Sequence, residues 1–213
     1  MKPQLLFKSG VLALVAVVVG LGLYLFMAPA VLGQDNDDAP AAAALAARAG
    51  RITAIEVAED FTRFSGDEAP VFEDDGLPAY GNPFVTQGYV YPAGTLTCED
   101  GVCDGVLEDG SPEFPELVIG QWTCWGYHIA DGAHTVSGPV VVTQQLFDFG
   151  TEAGLETLVS TGYERMDGSA PFLRAIVGGT GRYYAASGEQ IQSFQGFNAT
   201  DGVSLSIQFD VTR

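Results

Sequence analysis

The stretch Phe172–Glu189 reads FLRAIVGGTGRYYAASGE, and it decides the fold. Its first half ends in the β-branched pair Ile176 and Val177, which favours a buried strand. Three glycines follow within Gly178–Gly181, and a residue without a Cβ can turn the backbone where other residues cannot. From Glu189 to Asn198 polar and apolar residues alternate, as they do in a strand. The stretch therefore predicts a strand, a tight corner and a second strand in a closed or sharply bent sheet.

The glycine cluster does not fit a dinucleotide-binding motif. That motif needs a third glycine where this chain has Tyr184, and a helix after it. The residues after Tyr184 alternate like a strand instead. Phosphate binding at this corner is therefore not predicted.

The same stretch resembles the Gly-Gly-[Thr/Ser]-Gly signature shared by plant dirigent proteins and allene oxide cyclases. The resemblance includes Tyr183 and Ser187–Glu189, and it covers roughly residues 51–212. Weaker matches to strands of those proteins lie at Ile55–Asp60, Pro83–Tyr89 and His134–Pro139. The resemblance implies an all-β fold, an eight-stranded antiparallel β-barrel of the calycin type with an apolar cavity. Family members cyclise or couple reactive small molecules inside such a barrel.

The remaining sequence is also typical of an all-β protein. The pair Asp-Gly, which suits type I′ hairpin corners, occurs seven times. Strand-like runs lie at 85–91, 117–129, 140–149, 157–163 and 203–211, and the last alternates cleanly between apolar and polar residues, as a half-buried antiparallel strand does. We therefore expect residues 51–213 to form one barrel domain.

The N-terminus predicts export. Lys2 and Lys8 precede the uncharged stretch Ser9–Gly33, which indicates a hydrophobic helix. Residues 1–33 are therefore a signal peptide or an uncleaved signal anchor, and residues 34–50 an Ala/Asp-rich tether. The barrel would then be periplasmic or extracellular, either free or held to the membrane by the N-terminal segment alone.

The charge balance excludes one class of partner. The chain has a formal net charge of −18, and all 27 acidic residues but only seven basic ones follow Gly33. Such a surface repels nucleic acid and anionic lipid. No nucleic-acid partner is predicted.

The resemblance to allene oxide cyclases suggests two catalytic candidates. Glu59 matches the acidic residue on the first strand of those enzymes, although the neighbouring Glu56 leaves the register open. A carboxyl group that faces an apolar cavity has a raised pKa and can act as an acid or a base. Cys124 matches a cysteine on a strand in the middle of their barrel. The family pattern is incomplete, because Val140 and Thr86 replace a tyrosine and an asparagine.

The ligand-binding candidates are aromatic and basic residues. Trp122 and His128 share a face with Cys124, and either this pair or Trp125 and Tyr127 lines the lumen. The dirigent pattern expects lumen acids with a tyrosine and an arginine, for which the candidates are Arg174, Tyr183 and Tyr184.

The cysteines indicate a disulfide, not a metal site. Cys98 and Cys103 flank a short Glu-Asp-Gly-Val turn, so a hairpin disulfide can close there in an oxidising compartment. Three cysteines and two histidines show no zinc-ligand spacing, so neither a metal nor a cofactor is predicted.

Two functions of different class remain open from the sequence. The first is a cofactor-free cyclase or isomerase that holds a small apolar or aromatic molecule in the lumen. The alternative is a non-catalytic, lipocalin-like carrier of a small ligand, or a cell-envelope interaction module. Homo-oligomerisation is left open.

Overall fold

A computed structural model describes residues 53–66, 81–129, 140–165 and 171–212. The predicted N-terminal helix, the signal segment 1–33 and the tether 34–50 lie outside these residues. Within them, the only helical elements are two short 3₁₀ turns, Pro115–Leu117 and Gly181–Tyr183. No helix in this part of the chain combines the length and the apolar character that a membrane span requires.

The described residues form ten strands. Their bounds are β1 Ala54–Gly66, β2 Pro83–Pro92, β3 Cys98–Glu99, β4 Val102–Cys103, β5 Gly120–Ile129, β6 Val140–Asp148, β7 Thr157–Arg165, β8 Phe172–Gly179, β9 Ser187–Phe197 and β10 Val203–Thr212.

Eight of these strands close into a barrel. The order around it is β1, β2, β5, β6, β7, β8, β9 and β10, with each neighbouring pair antiparallel. Closure comes from β10, which pairs with β9 on one side and with β1 on the other. The predicted eight-stranded antiparallel barrel is confirmed. The small hairpin of β3 and β4 lies outside the cylinder and touches β9 through the pair Val102 and Phe197.

The glycine-rich corner joins β8 to β9 as predicted. Gly181 has a φ of +56°, and a Cβ added there would lie 2.4 Å from the carbonyl oxygen of Leu155. A Cβ on Gly179 would lie 2.2 Å from the carbonyl oxygen of Thr157. The start of β7 therefore packs against this corner so closely that only glycine fits at these two positions.

Apolar side chains fill one end of the barrel. We call this end the floor; it contains Trp122, Phe147, Phe149, Tyr183 and Phe209, which belong to or pack against the main core cluster. The rings of Phe147 and Phe209 meet edge to face at 5.4 Å, and Phe149 contacts Tyr183 at the same distance. Ile55, Phe147 and Ile207 have no water-accessible surface. The resemblance implied an apolar cavity, but side chains occupy this apolar part of the interior.

The segment between β4 and β5 covers the outside of β1 and β2. Tyr91 donates a hydrogen bond to the carbonyl oxygen of Gly105 at 2.7 Å, and Tyr89 donates to that of Gly110 at 2.8 Å. Tyr89 and Tyr91 therefore lie outside the cylinder in a second, smaller apolar cluster. This cover explains why β1 is buried on both faces between Val57 and Asp60.

The Asp-Gly pairs have more than one role. Asp100 and Gly101 both have positive φ and join β3 to β4 as a two-residue hairpin, as predicted. The pairs at 104 and 109 instead lie in the covering segment, and the pair at 201 lies in the turn between β9 and β10. Those at 75, 131 and 167 fall outside the described residues.

Candidate functional site

A layer of polar side chains crosses the barrel interior above the floor. Side chains along a strand point alternately into and out of the barrel, and residues paired across neighbouring strands point the same way. The pairing of these strands therefore directs the polar side chains inward. We call this group the polar layer; it consists of Glu59, Thr86, Cys124, Thr143, Gln145, Ser160, Glu164, Arg174, Gln190 and Gln192. A buried polar group is costly unless it is hydrogen-bonded, so such a concentration inside a barrel marks a candidate site.

Glu59 lies in this layer and is only 5% exposed. The Thr86 hydroxyl donates to its Oε1 at 2.6 Å, and the backbone N–H of Val203 donates to its Oε2 at 2.8 Å. Burial raises the pKa of the Glu59 carboxyl despite these two hydrogen bonds, and the nearby carboxylates of Glu164 and Asp60 raise it further. Glu56 instead accepts hydrogen bonds from the backbone N–H groups of residues 94–96 on the outside, so Glu59 is the one of these two carboxyl groups that lies inside the barrel.

The turn between β9 and β10 fixes the backbone of Glu59. The amide Nδ2 of Asn198 donates to the carbonyl oxygen of Glu59 at 2.8 Å. A Cβ added to Gly202 would lie 2.3 Å from the same oxygen, so the turn approaches as closely as a glycine allows. Glu59 is therefore held by β2, β10 and this turn together.

Arg174 forms a buried ion pair with Glu164. The distance from Nη1 to Oε1 is 2.8 Å. Arg174 also donates to the hydroxyl and the carbonyl oxygen of Thr143, at 2.8 and 3.2 Å, and to the hydroxyl of Ser160 at 3.2 Å. The side chain of Glu164 keeps 16% of its surface accessible to water, whereas that of Arg174 keeps none. Water can therefore contact the polar layer beside Glu164.

Three glutamine side chains extend the ion pair into a hydrogen-bond network in which the orientation of each amide is fixed. The Glu164 carboxylate accepts from Nε2 of Gln145 at 3.2 Å and from Nε2 of Gln192 at 3.0 Å. Both amide oxygens must then point away from Glu164, and both accept from Nε2 of Gln190, at 2.8 and 3.1 Å. Because a carboxylate paired with arginine only accepts, it fixes the orientation of all three amides.

Cys124 lies in the polar layer as a neutral thiol. It is buried, and its Sγ donates to Oε1 of Glu164 at 3.8 Å. Burial raises the pKa of the Cys124 thiol well above its ordinary value, and Glu164 raises it further. The thiolate is the nucleophilic form, so Cys124 offers no nucleophile at neutral pH.

Aromatic residues line the end of the barrel opposite the floor. We call this end the rim; it contains Phe64, Phe84 and His128. The ring of His128 lies 4.9 Å from that of Phe84, and Phe84 stacks on Phe64 at 5.8 Å. His128 faces inward on β5, two inward positions beyond Cys124. The rim therefore presents flat apolar surfaces next to the polar layer.

The other predicted ligand-binding residues, Trp122, Tyr183 and Tyr184, lie in two locations, the floor and the outside of the barrel. Trp122 faces inward, which places the face with Cys124 and His128 in the lumen and leaves Trp125 and Tyr127 outside. Trp122 and Tyr183 belong to the filled floor, away from the rim. Tyr184 is 78% exposed on the outside, because the 3₁₀ turn directs adjacent tyrosines in opposite directions. Tyr184 therefore does not line the lumen.

The disulfide is present as expected. Cys98 and Cys103 are bonded across the hairpin of β3 and β4. The acidic residues around it bind their own loop: Asp104 accepts from the backbone N–H of Thr97, and Asp109 accepts from that of Ser111. In the described part of the chain, no group of three or more His, Cys, Asp or Glu side chains is arranged to hold a metal ion.

Sequence reasoning missed Glu164 and the three glutamines. A glutamine on a strand usually indicates the solvent face, and nothing around Gln145 distinguishes it from the exposed Gln144. A signal did exist on β9, where Gln190 and Gln192 lie two residues apart and therefore share a face.

No protein-family model matches the chain, and no curated protein matches it significantly. Among solved structures, the fold is similar to a pterocarpan synthase dirigent protein, with a TM-score of 0.51 and 15% identity over 75% of this chain and 92% of that one. It is also similar to a second pterocarpan synthase dirigent protein, with a TM-score of 0.48 and 14% identity over 89% of this chain and 97% of that one. A third similar structure is pyocyanin demethylase, with a TM-score of 0.46 and 15% identity over 75% of this chain and 98% of that one.

Of these three likenesses, only the first exceeds a TM-score of 0.5, and at 15% identity it shows the fold alone. The fold is therefore a closed barrel of the dirigent kind, as the Phe172–Glu189 stretch suggested. In this chain the interior of the barrel holds a buried carboxyl group, an ion pair and an aromatic rim.

Proposed function

We propose that this barrel binds a small apolar or aromatic molecule at the rim and converts it as a cofactor-free cyclase or isomerase. The observation that carries the proposal is Glu59, a buried carboxyl group with a raised pKa in the polar layer beneath the rim. A carboxyl group whose pKa is raised holds its proton to a higher pH and can donate it to a bound molecule.

The hydrogen bonds of Glu59 suit both of its protonation states. When Glu59 is ionised, Thr86 and the N–H of Val203 both donate to it. When it is protonated, its O–H can donate to the Thr86 hydroxyl, because a hydroxyl rotates and also accepts. Oε2 still accepts from Val203. A change in the protonation state of Glu59 therefore requires only rotation of the Thr86 hydroxyl.

Glu164 and Arg174 supply a fixed polar surface beside Glu59. Their ion pair is anchored by Thr143, Gln145 and Gln192, so the charges are held in place before a ligand arrives. Preorganised charges of this kind stabilise charge that develops during a reaction. The rim rings of Phe84 and His128 would hold a flat apolar molecule above this surface.

One observation favours the alternative function, a carrier that binds a small ligand without converting it. Arg174 donates to Glu164, Thr143 and Ser160, and the glutamines donate to Glu164 and to one another, so these side chains already have acceptors before a ligand binds. If the protein retains a ligand that it does not convert, it is a carrier of small ligands.

The test uses small molecules from the organism that makes the protein. Native mass spectrometry of protein purified from that organism identifies a retained ligand. Incubation of the protein with an extract, followed by chromatography and mass spectrometry, identifies any compound converted to a product of equal mass. We expect Glu59→Gln to lower this conversion about 100-fold or more while the ligand still binds.

The matched control is Glu189→Gln, which removes an exposed carboxylate on the outside of β9. It should convert the compound at the rate of the wild type. Undiminished conversion by Glu59→Gln contradicts the proposed role of Glu59. Retention of a ligand with no conversion by the wild type identifies a carrier.

Export is the second part of the proposal. It rests on Lys2, Lys8 and the uncharged stretch Ser9–Gly33, and the disulfide between Cys98 and Cys103 suits an oxidising compartment. Fractionation of the producing cells, with the N-terminus of the exported protein sequenced, tests export and cleavage together.

A further inference from the structure

We propose that His128 is a general base at the rim, and that Asn82 beside it holds the oxygen of the reacting group. The site would then remove a proton from a carbon next to a carbonyl group. This inference rests on the proposed function, because it names the class of substrate that the same lumen would take. It is carried by the placement of these two residues, by the hydrogen bond at Nδ1 of His128 and by the Nδ2 atom of Asn82, which has no hydrogen-bond partner within the ranges that the structure describes.

His128 faces the interior from the end of β5. Its cross-strand neighbour on β6 is Val141, and its ring lies 4.9 Å from that of Phe84 on β2. It is 8% exposed. A ligand that stacks on Phe84 would therefore meet the imidazole directly.

The hydrogen bond at Nδ1 determines the tautomer of His128. Nδ1 lies 3.3 Å from the backbone carbonyl oxygen of Asn82. A carbonyl oxygen only accepts, so Nδ1 carries the proton. In the neutral ring Nε2 is then the bare nitrogen, and no described residue forms a hydrogen bond with it. A bare Nε2 is the atom that can take up a proton.

The surroundings keep His128 neutral. Burial lowers the pKa of its imidazole, and the carbonyl oxygen of Asn82 opposes this only in part. Phe84 on β2 and Val141 and Thr143 on β6 carry no charge. The ionisable groups that share the interior are Glu59 on β1, Cys124 on β5, Glu164 on β7 and Arg174 on β8. None of them contributes to the pKa shift of His128.

Asn82 supplies a donor that lacks a partner. The backbone N–H of His128 donates to the carbonyl oxygen of Asn82 at 2.9 Å, which places the two residues opposite each other and on the same face. The Nδ2 atom of the Asn82 side chain is buried and has no hydrogen-bond partner among the described residues. A buried donor without a partner is costly, and an oxygen atom of a ligand would satisfy it.

The two groups together suit the formation of an enolate. Nε2 of His128 takes a proton from the carbon, the electrons of that C–H bond form a carbon–carbon double bond, and the carbonyl π electrons move onto the oxygen. Nδ2 of Asn82 donates to that oxygen. Glu59 then gives its proton to another carbon of the conjugated system, and water carries the proton of the imidazolium back to the Glu59 carboxylate. The net result is an isomerisation that consumes no oxidant or reductant.

The test uses 5-nitrobenzisoxazole, a flat aromatic probe that reacts when a base removes one proton. The C–H electrons form a nitrile, the N–O bond breaks, and its electrons stay on a coloured phenolate. We expect kcat/KM for the wild type to rise with pH through a pKa below 6.5 and then to level off. His128→Gln should lower the plateau about 100-fold. Asn82→Ala should lower it about tenfold without moving the pKa, which is the effect of one lost hydrogen bond.

Two further variants test whether the observed rate comes from His128. His134→Gln removes the other histidine of the chain and should leave the profile unchanged. Glu59→Gln separates this proposal from the role of Glu59 as the acid: a rising limb that disappears in Glu59→Gln but persists in His128→Gln assigns the base to Glu59 and overturns the proposal. The proposal is overturned if His128→Gln retains the rate, if His134→Gln loses it, or if the wild type shows no rate that depends on His128.

A second measurement does not depend on turnover or on the folding of a variant. Nitrogen NMR of the wild-type imidazoles should show His128 with a protonated Nδ1 and a bare Nε2 at about pH 7, and a titration midpoint below 6.5. The His134→Gln spectrum assigns the signals, because His128 is then the one remaining histidine. A proton on Nε2 at neutral pH, or a midpoint above the ordinary value, overturns the proposal.

Discussion

Arg174 and Glu164 face each other across β7 and β8 inside the barrel, with 2.8 Å between Nη1 and Oε1. The pair organises the polar layer, because the Glu164 carboxylate accepts from Gln145 and Gln192 and so fixes the orientation of their amides. A buried ion pair contributes little stability compared with an apolar pair of equal volume, but a single charge left without its partner is strongly destabilising. The pair is therefore better explained as part of a site than as a stabilising device.

Arg174→Met tests the strength of this coupling. It leaves the carboxylate of Glu164 without a counter-charge, and we expect the free energy of unfolding to fall by about 3 kcal/mol. The double variant Arg174→Met with Glu164→Gln should lose less, because the unpaired charge is gone. Denaturant unfolding measures both. As a surface control, Arg182→Met breaks the half-buried pair with Glu156 and should cost less than about 1 kcal/mol.

Gly181→Ala tests whether the corner between β8 and β9 depends on glycine. The φ of +56° alone costs about 1 kcal/mol for a residue with a Cβ. The Cβ would also lie 2.4 Å from the carbonyl oxygen of Leu155, so the total loss should be larger. Gly154→Ala is matched to it, because Gly154 also has positive φ but nothing within 4 Å of the added Cβ. Equal melting temperatures for the two variants would contradict the close approach.

The corner could be predicted from the sequence because its glycines leave few alternatives. Gly178–Gly181 follows a β-branched pair and precedes an alternating run, so local sequence and barrel closure agree. Glu59 could be predicted through the family resemblance, and the structure shows the carboxyl group inside the barrel. These features depend on short stretches of chain.

The polar layer could not be predicted, because it depends on contacts between distant strands. Gln145 and Gln192 meet Glu164 from two different strands, and no single stretch of sequence shows that the three share an interior. The prediction that Tyr184 lines the lumen is wrong for a local reason. A 3₁₀ turn at Gly181–Tyr183 breaks the alternation, so the direction of Tyr184 does not follow from that of Tyr183.

The disulfide between Cys98 and Cys103 should stabilise the outer hairpin. A Cβ on Gly196 would lie 2.9 Å from the Sγ atom of Cys103, so the sulfur packs directly on β9. The closed loop is short, and replacing both cysteines with serine should cost about 2 kcal/mol. Chemical denaturation measures the loss, and wild-type protein treated with a thiol reductant should lose the same amount. Unchanged stability after reduction would show that packing alone holds the hairpin.

Glu59→Gln should change how stability depends on pH. Because burial raises the pKa of Glu59, the folded protein holds this proton more tightly than the unfolded chain does, whose ordinary value is 4.5. The stability that this proton contributes is fully present below pH 4.5 and is lost as the pH rises through the folded pKa. The amide that replaces the carboxyl group in the variant does not titrate. Its nitrogen can donate to Thr86 while its oxygen accepts from Val203.

The difference in unfolding free energy between the variant and the wild type should therefore shift in favour of the variant as the pH rises from 4.5. Denaturant unfolding at a series of pH values measures this difference, with Glu189→Gln, which removes an exposed carboxylate on the outside of β9, as the control. A difference that stays constant with pH would mean that Glu59 has an ordinary pKa in the folded protein. In that case it would be ionised at neutral pH and could not act as the proton donor.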